Sequence, residues 1–130
     1  MSGPDLEAQV SGEAQDGSGR ARSLLAAERE RTEARLAALQ KDFDAIVSSA
    51  GGAADDEHDP EGSSTAFDRQ HVASLIAAAR DHLAEIARAA ARIEDGSYGT
   101  CQRCGRQISA ERLAARPATA ACINCASSQP

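Results

Sequence analysis

The four cysteines of this 130-residue chain fall in one run, CQRCGRQISAERLAARPATAACINC, as Cys101-x2-Cys104 and Cys122-x2-Cys125 with seventeen residues between the pairs. A Cys-x2-Cys turn brings two thiolates within a few ångströms of each other, with backbone N–H groups directed at the sulfurs. Two such turns can complete a tetrahedron around zinc at metal–sulfur distances of ~2.3 Å, and the spacing lies in the range that reads as a zinc site. With every position filled by cysteine, no place is left for water or substrate, so one structural zinc is expected. A pair of redox Cys-x-x-Cys motifs competes for the same residues but lacks a surrounding βαβ pattern; an iron–sulfur cluster is the other competing reading. Between the pairs, Ser109 can cap a short helix through Arg112–Ala115, which Pro117 ends. The segment is poor in apolar bulk, so metal binding should supply much of its folding free energy.

A second stretch with chemical potential is DDEHDPEGSS, where Asp55, Asp56, Glu57, Asp59 and Glu61 occur without a basic residue. It can be a hydrated linker, a weak cation loop that includes His58, or a working tip. His71 and His82 are eleven residues apart on one helical face, about 16 Å from each other, and make no site together. No nucleophile–base pair, phosphate loop or open metal position is present, so no enzymatic activity is expected.

The elements that must position these groups are helical. Leu25, Thr32, Leu36, Leu39, Phe43 and Ile46 follow 7-4-3-4-3 spacing from about Arg20 onward, with Arg29 as a flaw in the seam. Val72, Ile76, Ala79, Leu83, Ile86, Ala90 and Ile93 keep 4-3-4-3-4-3 spacing. The first helix should end near Ser48–Gly51; the second should be capped by Ser64 or Thr65 and stop at Asp95-Gly96. Each would be about 40–48 Å long at ~1.5 Å per residue. A single apolar stripe leaves each helix wet on one face, so the two should fold back on each other. We expect paired seam residues whose numbers sum to 115, with Phe43 facing Val72, Leu39 facing Ile76, Leu36 facing Ala79 and Thr32 facing Leu83; a register shifted by one heptad is the alternative.

The fold class expected is therefore mainly α: a long antiparallel helical hairpin (coiled coil) followed by a small four-cysteine zinc-finger module. Residues 1–19, rich in Gly, Ser and acid, are expected to be a disordered tail. The hairpin should occupy 20–98 with its acidic tip loop at about 49–63, the zinc finger 99–126, and a short tail 127–130. Two Phe, one Tyr and no Trp argue against a large globular core. No apolar run approaches the ~20 residues of a membrane span, and the first twenty residues lack a secretory signal, so a cytoplasmic protein with reduced cysteines is expected. The net charge is −6, with the acid excess in 1–19 and 49–63. No dense Lys/Arg stripe suggests a phosphate-dominated partner.

The stretch RIEDGSYGTCQRCGRQISAERLAARPATAACINC, residues 92–125, resembles the DksA/TraR family of C4-type zinc-finger transcription regulators. The likeness rests on Ile93 through Gly99 running into Cys101, on Arg112-Leu113 and Ala115-Arg116-Pro117, and on Cys122-Ile123-x-Cys125. It covers about a quarter of the chain, and the hairpin before it matches the family's architecture in order and approximate length. The resemblance implies a monomer that binds bacterial RNA polymerase and inserts its hairpin into the secondary channel. It further implies that Asp55, Asp56, Glu57, Asp59 and Glu61 form the tip that approaches the catalytic centre, without sequence-specific DNA contacts or catalysis. Some family members act with the alarmone ppGpp. The chain departs from the family in two places. Neither register of the acidic run reproduces the tip pattern Asp-x-x-Asp-x-Ala, and the sequence stops five residues after Cys125, without the family's C-terminal helix. Two further readings stand beside this one: a zinc-stabilised hairpin that docks another helical protein, and a weak nucleic-acid-binding zinc ribbon using Arg103, Arg106, Arg112 and Arg116.

Overall fold

The computed structural model describes the backbone of residues 3–52 and 61–128 and the side-chain surroundings of residues 17–49 and 64–128. Four helices follow in order: α1 (Gly3–Gly52), α2 (Glu61–Asp95), α3 (Ala110–Ala115) and α4 (Ile123–Ser127). Among the described residues the only β-type pairing is an isolated antiparallel bridge between Thr100 and Gln107. The chain divides into two compact units, residues 1–29 with 85–130, and residues 30–84.

The helices α1 and α2 form the expected antiparallel hairpin. In the first unit Arg22 meets Glu94 at 3.2 Å, two numbers that sum to 116, whereas a slip of one heptad would alter the sum by seven. In the second unit Asp42, Ala45, Ile46, Asp68, His71 and Val72 line one open depression. Taken in antiparallel order, Asp42 with Val72, Ala45 with His71 and Ile46 with Asp68, these numbers sum to 114–116. The seam also holds: Leu25, Thr32, Leu39, Ala79, Ile86 and Ile93 are buried, and Arg29, the flaw in the pattern, is exposed.

Four expectations are corrected. The seam position assigned to Ala90 belongs to Ala89, which is 0% exposed, while Ala90 is exposed. A straight helix turns every 3.6 residues and drifts by ~20° per heptad against a 3.5-residue seam. The stripe therefore takes a three-residue step from Ile86 to Ala89 before reaching Ile93. The second correction concerns residues 1–19, expected to be disordered: α1 begins at Gly3. Third, α2 begins at Glu61, so Ser64 and Thr65 lie inside the helix rather than at its cap. Extending an existing helix is far cheaper than nucleating one, and in neither place does a polar residue act as a stop. Fourth, α4 (Ile123–Ser127) was not foreseen. At the other end of α2 the stop is where the sequence puts it: Gly96 adopts φ +82, a conformation that favours glycine.

Candidate metal centre

The cysteines sit on two short turns. In the first, Cys101 N–H donates to Arg106 O at 2.8 Å, Gly105 N–H donates back to Cys101 O at 3.0 Å, and Ile108 N–H reaches Gly99 O at 2.7 Å. The reversal passes through Gly105 at φ +77, and Gly99 has positive φ with Leu113 Cδ1 3.6 Å from where a Cβ would be. In the second turn Cys122 is the N-cap residue of α4. Its carbonyl accepts from Ala126 N–H at 2.9 Å, so Cys125 comes round on the first helical turn. Between the turns, Ser109 Oγ accepts from Arg112 N–H at 3.2 Å and caps α3, as its position in the sequence predicts. The module has its own small core of Cys101, Ile108 and Cys122, against which Leu113 packs.

This framework brings all four cysteine sulfurs within 4.8 Å of one another, and Cys104 Sγ lies 3.8 Å from Cys122 Sγ. All four cysteines are free. A tetrahedron with metal–sulfur bonds of ~2.3 Å has edges of ~3.8 Å, so the sulfurs stand where a zinc ion needs them. The electrostatics fit the same ion. Backbone N–H groups of Cys122 and Cys104 point at the Cys101 sulfur and draw its pKa from 9.0 down to about 6. The Cys125 N–H lowers Cys122 in the same way. Cys125 is pushed up to about 12 by the sulfurs of Cys122, Cys101 and Cys104. Four crowded thiols cannot all ionise unaided, and a divalent cation removes that conflict by replacing the last proton. Saturated by protein sulfur, a zinc held by Cys101, Cys104, Cys122 and Cys125 would supply folding energy.

The segment leading into Cys122 is held with unusual completeness. The Tyr98 hydroxyl donates to Pro117 O at 2.8 Å. Arg92 donates to Thr119 O at 3.2 Å and to Ala118 O at 3.5 Å. Gln102 N–H donates to Ala120 O at 2.8 Å, and Arg112 Nε donates to Ala121 O at 2.8 Å. Nothing in the sequence pattern marks Arg92, Tyr98 or Gln102 for these roles, and Arg112 is among the arginines that the zinc-ribbon reading offers to nucleic acid. The Arg112 guanidinium also reaches Thr119 Oγ1 at 3.2 Å, and Arg103 donates to Cys125 O at 3.1 Å. Two of the four arginines offered to nucleic acid are thus engaged within the module. Of the acidic residues named as a tip, Asp55, Asp56, Glu57 and Asp59 lie outside the described residues, as does His58; Glu61 is the first residue of α2.

A four-cysteine zinc finger joined to an antiparallel helical hairpin is the class that this geometry defines. Residues 96–129 match the prokaryotic dksA/traR C4-type zinc finger family. An uncharacterized protein of Aquifex aeolicus (strain VF5) is 50% identical over 44 residues, which are 34% of this chain and 30% of that protein; the match spans about a third of the relative's length. Transcription factor DksA2 from Pseudomonas aeruginosa shares the fold with a TM-score of 0.69 at 24% identity, over 85% of this chain and 80% of that one. Among the described residues no helix is long and apolar enough to cross a membrane.

Proposed function

We propose that this protein is a transcription regulator that binds RNA polymerase and inserts the turn of its hairpin into the secondary channel. The observation that carries the reading is the combination of a match to the dksA/traR-type zinc finger with an antiparallel hairpin whose sequence carries Asp55, Asp56, Glu57 and Asp59 between its two helices and Glu61 at the start of the second. Carboxylates presented at a nucleotide-polymerising centre meet Mg²⁺ ions and basic surface in a low-dielectric passage, where each interaction is strengthened. The zinc finger and hairpin base anchor the factor, and the turn alters the reaction. In this role the protein works in the cytoplasm as a monomer, without catalytic activity of its own and without reading DNA sequence.

The test is retention of polymerase subunits on the tagged full-length protein from its native cytoplasm, followed by transcription in vitro. An Asp56→Ala/Asp59→Ala variant is expected to keep binding and lose its effect on transcription. Wild-type potency from that variant would sink the tip assignment. The helical-partner reading has one observation on its side: Phe67 is 73% exposed, and Val47 is exposed in the same unit. If it holds, substitutions near Leu75 and Ala78 abolish partner binding while replacement of the acidic turn leaves it intact.

A further inference from the structure

We propose that Arg92 is a positioning residue that couples zinc occupancy to the C-terminal end of α2, so that metal binding and the folding of the hairpin base reinforce each other. This coupling lies in the finger and its junction with α2, whether or not polymerase is the partner.

Five consecutive carbonyls, Pro117 to Ala121, each accept a hydrogen bond from outside the segment. Their donors come from four places: Arg92 on α2, Tyr98 in the turn after it, Gln102 in the first cysteine turn, and Arg112 on α3. The next residue is the metal ligand Cys122. Arg92 has a second function in the same junction, because its own carbonyl accepts from Ser97 N–H at 2.9 Å and from Tyr98 N–H at 3.1 Å. Its backbone therefore shapes the turn that carries Tyr98 to Pro117, while its guanidinium grips the next two carbonyls. One residue thus sets both attachments of α2 to the approach of the second cysteine pair. Both bonds leave one guanidinium nitrogen, Nη2, whose two hydrogens lie fixed in the plane of the group, whereas an ammonium rotates freely on a flexible stem and holds no fixed pair of directions.

Such an arrangement transmits in both directions. With α2 in place, the lead into Cys122 is held before metal arrives, and less ordering is left for the ion to impose. With metal bound, the carbonyls stay in line and α2 keeps its last turn. Coupling of two binding or folding events is reciprocal by thermodynamic necessity, and groups that orient a metal ligand without touching the ion change affinity by about 10–100-fold when removed.

The experiment uses the full chain and zinc itself. Affinity is read by competition with a chromophoric chelator, and amide hydrogen exchange at residues 89–97 is followed with and without metal. Arg92→Ala is expected to weaken zinc binding by about tenfold, and Arg92→Lys by less. Arg88→Ala, one turn earlier on α2, should leave affinity unchanged. In the wild type, removing zinc should speed exchange at the end of α2; in Arg92→Ala the same step should change it little. Wild-type zinc affinity in Arg92→Ala overturns the proposal, and so does exchange at 89–97 that ignores zinc in the wild type. If Arg92→Ala loses its helical circular dichroism, Arg92→Lys decides, and wild-type affinity there overturns it too.

Discussion

The unit built from residues 1–29 and 85–130 and the unit of residues 30–84 solve the same problem by different means. In the first, the seam of Leu25, Ile86, Ala89 and Ile93 leads into a module whose backbone direction is fixed contact by contact: carbonyls 117–121 each have a named donor, two cysteine turns bring four sulfurs within 4.8 Å of one another, and glycines at 96, 99 and 105 supply left-handed turns. In the second, Thr32, Leu39 and Ala79 are the buried residues among those described, and its specification is an apolar stripe repeated along two helices. Polar networks are exacting about geometry, whereas a stripe tolerates any residue of suitable size and is precise only about phase. The two units should therefore fail under different insults.

The largest effect should come from removing zinc. Structural zinc sites contribute on the order of 10 kcal/mol to the folded state, and the finger has little else. Chelation is expected to open residues 97–125 to proteolysis while circular dichroism at 222 nm retains most of its helical signal. Protection that survives chelation breaks the comparison. Acid should act on the same site. The Cys101 thiol is depressed from 9.0 to about 6, so its contribution is present at higher pH and is lost as pH falls through that value. Because Cys125 is raised to about 12, zinc must displace its proton even near neutrality. Calorimetry in buffers of different ionisation enthalpy should register proton release on binding, and affinity should drop steeply below about pH 6.

Leu39→Ala probes the other unit. Truncating a buried leucine costs about 2–3 kcal/mol where the surroundings collapse in part, so the thermal transition of the helices should fall while zinc affinity stays at the wild-type value. Equal damage to both readouts would mean that the units do not fail separately. A finer test concerns phase. Ala89→Leu forces three extra carbons into a fully buried position and is expected to cost about 1–3 kcal/mol, whereas Ala90→Leu, on the exposed side, should stay within about 0.5 kcal/mol. The reverse order would restore the strict heptad.

The same contrast explains how much was legible in the sequence. The cysteine spacing, the Ser109 cap and the stop at Asp95-Gly96 depend on residue type at fixed offsets, and each can be read from one line of text; the pairing register can be read only to within one heptad, because a repeating stripe matches itself after seven residues. The start of α1 at Gly3 and of α2 at Glu61 depends on how far a nucleated helix runs, which no single residue marks. Ala89 displaces Ala90 because the phase error of a 3.5-residue repeat accumulates along a straight helix. The least legible features were Arg92 and Tyr98. An arginine and a tyrosine near a helix end look like surface residues until the fold brings carbonyls 117–119 beside them.

The smallest effect expected tests what sets the register. Arg22 and Glu94 form an ion pair across the hairpin in the first unit, yet their side chains are 54% and 74% exposed. At that exposure, water and salt screen the attraction, and holding two long side chains in one geometry costs entropy. Glu94→Gln should therefore shift stability by less than about 0.5 kcal/mol, with the difference vanishing at high salt. The seam around Leu25, Ala89 and Ile93 would keep the pairing unchanged, because a slip would expose those side chains to water whatever the charges do. A loss of several kcal/mol in Glu94→Gln, measured by urea titration, would place register control in the charges and remove the stripe from the account of this hairpin.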